Sequence, residues 1–490
     1  MNSDPTAPES DLGSKAKSGF ALGAVGILYG QIVTFVLGIF AARLLGADSY
    51  ALVVACLALL PYVDVVLDAG LGASVIFEQE AGVTRRVQVA FTMNLALAVV
   101  LTAILVSAAP LIASFFQNSD AGIFRLVSCL VLIRGLNQIP DSLLRRDLRF
   151  RRKLLVDMAR PTLRLGVSLG FLLAGFGPVG FVSAMLVAEC AGVLLVWALV
   201  QFRQTLAVDR GIARELFAYS GPVLLSRVVG QLSLDGDYFV VGHTRPKSDL
   251  SAYYSSFRLP QLLIGPIYYM FSSVAFPVFA AARNLGPDKL KESSLKALRY
   301  LTFLGFSIGC GLALVSRDFV LLAFGEEFRA AIGPMQLLSV AAGFAGIGFA
   351  SGDIFMALGK TRLQMWFSLA LTPLLLGGFV IAAPHGILAV AAVHVIVLVP
   401  YSMFRIAVTN RLIGTTWASS LAAFRPAAAT VAGMAAVALP VRLGMHEGLA
   451  ALVAIGGAGT VGAAMGLWFG ARSHAQELLG LVQQIVTKFR

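Results

Sequence analysis

Apolar residues in this chain do not alternate with polar ones at the two-residue period of a half-buried strand. They run in long blocks divided by short polar stretches. A helix of about 20 residues is ~30 Å long, the thickness of bilayer hydrocarbon. Fourteen such blocks predict fourteen membrane helices, at residues 20–42, 50–76, 88–111, 121–141, 154–175, 178–202, 216–243, 250–281, 296–316, 328–357, 363–383, 386–409, 420–441 and 448–470. Residues 476–490 read differently. There Leu478, Val482, Ile485, Val486 and Phe489 recur at helical spacing among Gln483, Gln484, Lys488 and Arg490. That stripe suits an amphipathic helix lying on a membrane surface. The connecting stretches are shorter than the ~50 residues that the smallest ordinary domain needs, so no soluble catalytic domain is expected between spans.

Composition agrees. Of 490 residues 58% are apolar and 13% charged, with mean hydropathy +0.83, against about 45–50% and ~25% in soluble domains. This excludes a soluble globular enzyme and a disordered chain, and predicts an all-α polytopic membrane protein. The four cysteines, Cys56, Cys129, Cys190 and Cys310, all fall inside apolar runs and read as packing residues. The polar first eighteen residues carry Lys15 and Lys17 without a small-residue cleavage site, so the first span is expected to act as its own insertion signal.

A net charge of +12 could point to nucleic acid, so the placement of the charges decides. With fourteen spans both termini share one side, and that side collects 26 of the 38 Lys and Arg, six of them in 145–153 and five in 283–299. The opposite side holds seven, and five lie within spans. By the positive-inside rule, both termini are cytoplasmic in a multi-pass protein of the cytoplasmic membrane. The basic balance is a topology signal, and no nucleic-acid partner is implied.

A weak internal repeat organises the spans. Ala42-Arg43-Leu44-Leu45-Gly46 ends the first and Val241-Gly242 the seventh; Leu144–Arg149 leads into the fifth as Leu358–Leu363 leads into the eleventh. Six helices therefore repeat as six. The expected division is a tail at 1–19, an N-lobe at 20–209, a C-lobe at 210–410, two further helices at 411–471 and the amphipathic tail helix at 472–490.

Several motifs mislead. Gly175-Phe176-Gly177-Pro178-Val179-Gly180 matches the dinucleotide fingerprint, yet membrane spans flank it where a strand is required, so it reads as a tight turn. Gly359-Lys360-Thr361 lacks the earlier glycine of a phosphate loop, that position being Ile354. Asp235-Gly236-Asp237 resembles a metal-binding acidic pair but sits inside an apolar span. No metal or cofactor is implied.

Ionisable groups inside spans are more telling, because each costs at least ~2.5–3.5 kcal/mol at a helix centre unless paired or wet. Arg227, Gln231 and Asp235 lie four residues apart on the seventh span, and Asp64 and Asp68 on the second. Arg134, Asn137, Gln138 and Asp141 share a side of the fourth, Arg258 and Gln261 belong to the eighth, and Glu189 and Asp353 mark the sixth and tenth. Arg134, Arg227 and Arg258 are expected to face a wet cavity. Asp157, Arg160 and Arg164, near the cytoplasmic border, are expected in salt bridges or snorkelling. Small-residue pairs (Gly26/Gly30, Gly166/Gly170, Gly305/Gly309, Gly348/Gly352) allow close helix contact.

The stretch from Ala42 through Tyr50, then Asp68-Ala69-Gly70-Leu71-Gly72-Ala73, resembles the start of the polysaccharide transporter, or O-antigen flippase, family. So do Pro140–Arg151, Tyr253–Pro260, Phe324-Gly325-Glu326-Glu327-Phe328 and Ala357–Thr361, and the likeness covers roughly residues 20–410. The family belongs to the superfamily of multidrug extruders and the lipid II flippase. The resemblance implies two six-helix lobes in a V around a cationic cavity, the last two helices being extra. It implies a flippase, not an enzyme, moving a polyprenyl-diphosphate-linked oligosaccharide across the membrane by alternating access. Arg43, Arg134, Arg227 and Arg258, with Gln231 and Gln261, are the candidate diphosphate and glycan ligands, since a guanidinium fork suits phosphate. Asp64, Asp68, Asp235 and Asp353 are candidates for charge balance or ion coupling. Expected partners are the lipid-linked glycan, membrane lipids, and a polymerase or glycosyltransferases of the same pathway. A cation-coupled multidrug extruder is the runner-up, ahead of a polytopic glycosyltransferase or polymerase.

Overall fold

The structure, a computed structural model, describes residues 9–68, 83–146, 149–200 and 205–488. Within them the chain is helical, with no strand among the described residues. The first element, α1 (Glu9–Asp68), merges two predicted passes. Its apolar part, Leu22–Asp68, has 47 residues, about 70 Å of helix against a hydrocarbon core of ~30 Å. Gly46 divides it, with φ 72° and ψ 169°, a conformation that glycine reaches without steric cost. The predicted loop at 43–49 is thus a one-residue kink. The helix also begins at Glu9, inside the expected polar tail, whereas the predicted end of the second span, 69–76, falls outside the described residues.

The third to twelfth predicted spans follow as α2 (Val83–Phe115), α3 (Gly122–Arg146), α4 (Phe150–Leu173), α5 (Gly177–Leu199), α6 (Arg210–Thr244), α7 (Lys247–Leu285), α8 (Pro287–Ala323), α9 (Ile332–Ala357), α10 (Thr361–Ala382) and α11 (Ile387–Ile413). A short α12 (Trp417–Ala423), N-capped by the Thr416 side chain accepting from the Ser419 amide, precedes α13 (Arg425–Gly444), α14 (Leu449–Gly470) and α15 (Arg472–Lys488). A 3-10 turn over Glu326–Ala331 delays α9 to Ile332, four residues beyond its predicted start. Among the described residues eleven helical segments are long and apolar enough to cross a membrane, the two limbs of α1 counting as one. The helices α4 and α6, of 24 and 35 residues, are long enough but too polar to join them. Their charges are the ones the sequence marks out, Asp157, Arg160 and Arg164 on α4, and Arg227, Asp235 and Asp237 on α6.

Contacts divide the chain after His243, placing α1–α6 in one unit and α7–α15 in another. The division falls one helix later than the repeat boundary at 209/210, because Leu216 of α6 is buried with Val87 and Phe91 of α2 and Ile139 and Leu143 of α3. In the first unit α1 lies against α4, where a Cβ at Gly26 would stand 3.2 Å from Leu154 Cδ1. Val63 and Leu67 of α1 close over Ala98 and Val131.

In the second unit α8 and α9 cross tightly: a Cβ at Gly309 would lie 2.2 Å from the Ser339 carbonyl oxygen. The extra pair α13–α14 interlocks the same way, a Cβ added at Gly462 falling 2.3 Å from the Gly433 carbonyl oxygen, and packs on α8. By contrast, an added Cβ at Gly166 or Gly170 would meet nothing within 4 Å. The amphipathic α15 is also tied to protein. Its Glu477 accepts a hydrogen bond from Arg299 of α8 at 2.9 Å, and His474 is buried between Tyr300 and Phe303. Phe489 of its predicted stripe lies outside the described residues.

Candidate functional site

The spacing of Asp64 and Asp68 on α1 matches that of Arg134 and Gln138 on α3, and the structure joins them as two rungs of a ladder. Arg134 Nη1 donates to Asp64 Oδ1 at 2.6 Å, and Gln138 Nε2 to Asp68 Oδ1 at 2.9 Å. From α6, Arg227 reaches the other oxygen of Asp68. Behind the first rung, Glu189 of α5 is buried between Arg134 Nη2 at 3.5 Å and Arg160 Nε of α4 at 3.6 Å. Two arginines expected to offer themselves to an anion are therefore already matched by carboxylates. Their accessibility differs: the Arg134 side chain is 16% exposed and that of Arg227 43%. Arg227 is the more accessible of the two, whereas Arg134 is held from two sides.

One turn along α6, Gln231 hydrogen-bonds to Asp235, and its carbonyl accepts from Tyr62 of α1 at 3.3 Å. Asp237 is buried and its Oδ1 accepts from the Tyr238 amide at 2.9 Å, a structural use of a group that looked like half a metal site. Asp141 joins a separate knot, pairing with Arg145 at 2.7 Å and Lys153 at 3.0 Å, with Lys153 also bound to Asp157. Arg43 is exposed on α1, three residues before the Gly46 kink. The turn between α4 and α5 has positive φ at Gly175 (84°) and Gly177 (59°), as the tight-turn reading of that glycine motif requires.

The remaining candidates lie in the second unit. Arg258 of α7 is half-buried, its guanidinium carbon 3.7 Å from the Tyr254 ring centroid, a cation–π stack on its own helix. Gln261, one turn on, is exposed. Asp353 of α9 is 2% exposed and accepts from Ser272 Oγ of α7 at 2.6 Å, while its Oδ2 is buried without a hydrogen bond.

Sequence reasoning misses Arg405, which lies four residues from the predicted end of the twelfth span and is buried on α11. Its Nε donates to Ser351 at 2.7 Å, Nη1 to Tyr401 at 3.1 Å, and Nη2 to Gln364 at 2.8 Å and the Gly348 carbonyl at 3.0 Å. Phe355 and Phe367 flank it. Tyr401, one turn earlier, is the one local signal of this cage; the rest comes from α9 and α10.

The teichuronic acid biosynthesis protein TuaB of Bacillus subtilis (strain 168) is 24% identical over 345 residues, covering 69% of this chain and 70% of its own. The succinoglycan biosynthesis transport protein ExoT of Rhizobium meliloti (strain 1021) is 22% identical over 369 residues, 74% of each chain. Among solved structures, the lipid II flippase MurJ in its inward closed conformation aligns with a TM-score of 0.75 at 13% identity, over 92% of this chain and 98% of that one. An inward-facing multidrug resistance MATE family transporter of the MOP superfamily aligns with a TM-score of 0.67 at 18% identity, over 79% and 94%. At those identities the structures establish a shared fold. The family described as polysaccharide biosynthesis protein matches residues 40–333, and the chain belongs to it.

Proposed function

We propose that this protein is a flippase that carries a polyprenyl-diphosphate-linked oligosaccharide from the cytoplasmic to the outer leaflet by alternating access, for cell-surface polysaccharide assembly. The observation that carries the reading is a set of arginines, Arg134, Arg227 and Arg258, on membrane-length helices of a polysaccharide biosynthesis family member. A diphosphate leaving headgroup water needs fixed cations with charge-assisted hydrogen bonds, and the guanidinium fork supplies them. The names of TuaB, ExoT and MurJ tie those proteins to teichuronic acid biosynthesis, succinoglycan transport and lipid II flipping, all consistent with such a substrate.

In this reading Arg43, Arg134, Arg227 and Arg258, with Gln231 and Gln261, meet the diphosphate and the first sugars. Asp64, Asp68 and Asp235 balance charge, and Asp353 is the coupling carboxylate. Both termini are cytoplasmic, and a polymerase or glycosyltransferases of the same pathway act on either side of the step. The alternative is a cation-coupled multidrug extruder on the same fold, but arginines on three of the helices suit an anion better.

The test is reconstitution. In proteoliposomes without nucleotide, the purified protein is expected to move a labelled polyprenyl-diphosphate trisaccharide between leaflets. Arg258→Ala should lose that activity while remaining monodisperse. Arg258→Lys should recover part of it, since lysine keeps the charge but not the fork. Full activity in Arg258→Ala would remove Arg258 from the site.

A further inference from the structure

The row on α6 does not stop at Asp235. Arg227, Gln231, Asp235, Phe239 and His243 stand at successive four-residue steps, each turning about 40° around the helix axis, so they form one slowly winding strip. None of the five is buried, whereas Gly236, Asp237 and Tyr238 beside them are. Along the strip the chemistry changes from cation to amide to carboxylate to aromatic ring. Tyr62 of α1 bridges the change: its hydroxyl donates to the Gln231 carbonyl, and its ring meets Phe239 edge-on at 5.2 Å.

At the end of the strip, His243 lies flat on Phe115 of α2, with centroids 4.5 Å apart and planes 17° from parallel. Both are exposed, Phe115 to 37%. Two hydrogen bonds lock the pair. Gln117 Nε2 donates to the His243 carbonyl at 2.6 Å, and His243 Nδ1 lies 3.0 Å from the Phe115 carbonyl oxygen. Gln117 has φ 54°, the one positive value at a non-glycine among the described residues. Such a conformation persists where surrounding contacts hold it, and it recurs at ligand clamps. Aromatic residues at helix ends also mark the membrane–water boundary, but that role requires neither stacking nor a cross-tie between two helices.

We propose that the Phe115–His243 stack is a saccharide subsite. A sugar ring of the lipid-linked glycan lies with its C–H face on the outer face of the stack, turned away from the contact between the two rings, and its hydroxyls reach the polar edge beside Gln117 and His243. The inference rests on the flippase reading and adds a polarity to it. The diphosphate sits toward Arg227 and the glycan toward His243, so the order of groups along the α6 strip follows the order of groups along the substrate.

Binding to the full-length protein in nanodiscs tests this with two probes, bare polyprenyl diphosphate and the same carrier bearing a trisaccharide. Phe115→Ala should weaken binding of the glycosylated probe about three- to tenfold, the range of one aromatic stacking contact, and leave the bare carrier within about twofold. Should that variant fail to fold, Phe115→Leu keeps the volume without the π face and carries the same comparison. His243→Phe, which preserves a flat ring, should retain the preference for the glycosylated probe. Equal losses for both probes, or no loss in a folded variant, would overturn the subsite alone. Failure of the wild-type protein to bind the bare carrier would instead bring down the diphosphate reading on which it rests.

Discussion

At the scale of single residues, the polar groups in the first unit differ in what their removal leaves behind. Arg134 stands between Asp64 and buried Glu189, so Arg134→Ala removes the partner of Asp64 and leaves Glu189 with Arg160 alone. Breaking a buried pair by deleting one partner costs about 3–5 kcal/mol, an upper bound here because Asp64 is 56% exposed. Arg227 is itself 43% exposed and its partner Asp68 32%, which places that pair nearer the ~0–1 kcal/mol of surface pairs. Arg134→Ala is therefore expected to lower the melting temperature in detergent clearly. Arg227→Ala should melt close to wild type yet lose transport, and comparable melting of both variants would contradict this ordering. The four-residue spacings on α1, α3 and α6 were legible in the sequence, because each is a property of one helix. The rungs between helices were not, since which helices adjoin is decided by packing over the whole unit. Arg405 shows the same limit: four residues from a predicted span end it looks like a headgroup charge, and only α9 and α10 turn its surroundings into a cage.

At the scale of elements, hydrophobic blocks located the helices because bilayer thickness sets their length, while Gly46 within α1 looked like a loop since a lone glycine says nothing about how many residues a bend takes. The stripe of the tail helix α15 suits a membrane surface, but its attachment to α8 depends on pairs that only the fold brings together. Burial holds His474 below its ordinary value, against the pull of Glu477 and with the Arg299 charge assisting. For Glu477 burial works the other way, yet hydrogen bonds from Tyr300 and Lys296 and the Arg299 charge outweigh it and keep the carboxyl below the usual range. Both values are depressed in the docked state, so both contributions are complete above the ordinary values of 6.5 and 4.5. They are lost as pH falls through the depressed ones. Docking of α15 should thus hold at pH 7.5, weaken as pH falls below 6.5 and His474 takes up a proton, and weaken again as Glu477 is neutralised below 4.5. Amide exchange across 472–484 between pH 7.5 and 4 would show it once intrinsic exchange is corrected. Protection that rises toward acid would reverse the sign and refute the assignment.

For the molecule as a whole, orientation and driving force are linked. In the proposed orientation, which rests on the lysine and arginine asymmetry, the loop at Arg149 is cytoplasmic and the start of α7 at Lys247 lies outside. In a background lacking the native cysteines, of which Cys129 and Cys190 are exposed on their helices, a cysteine at Lys247 should react with an impermeant maleimide in intact cells. One at Arg149 should react only after permeabilisation, and the reverse pattern would invert the topology. Given that orientation, a diphosphate moving outward carries about two negative charges down an inside-negative potential. Each charge gains ~2.3 kcal/mol per 100 mV, so two gain about 4.6, roughly a thousandfold or more in the equilibrium between leaflets. The carboxylates of the first unit do not cancel this gain, because they stay with the protein when the substrate leaves. In proteoliposomes holding the protein in its cellular orientation, a potassium diffusion potential, negative inside, should speed outward movement of the labelled glycan carrier, and reversing its sign should slow it. A rate indifferent to potential of either sign would mean that a cation accompanies the diphosphate charge for charge, placing the energy source in that ion's gradient and its binding at a carboxylate such as Asp353.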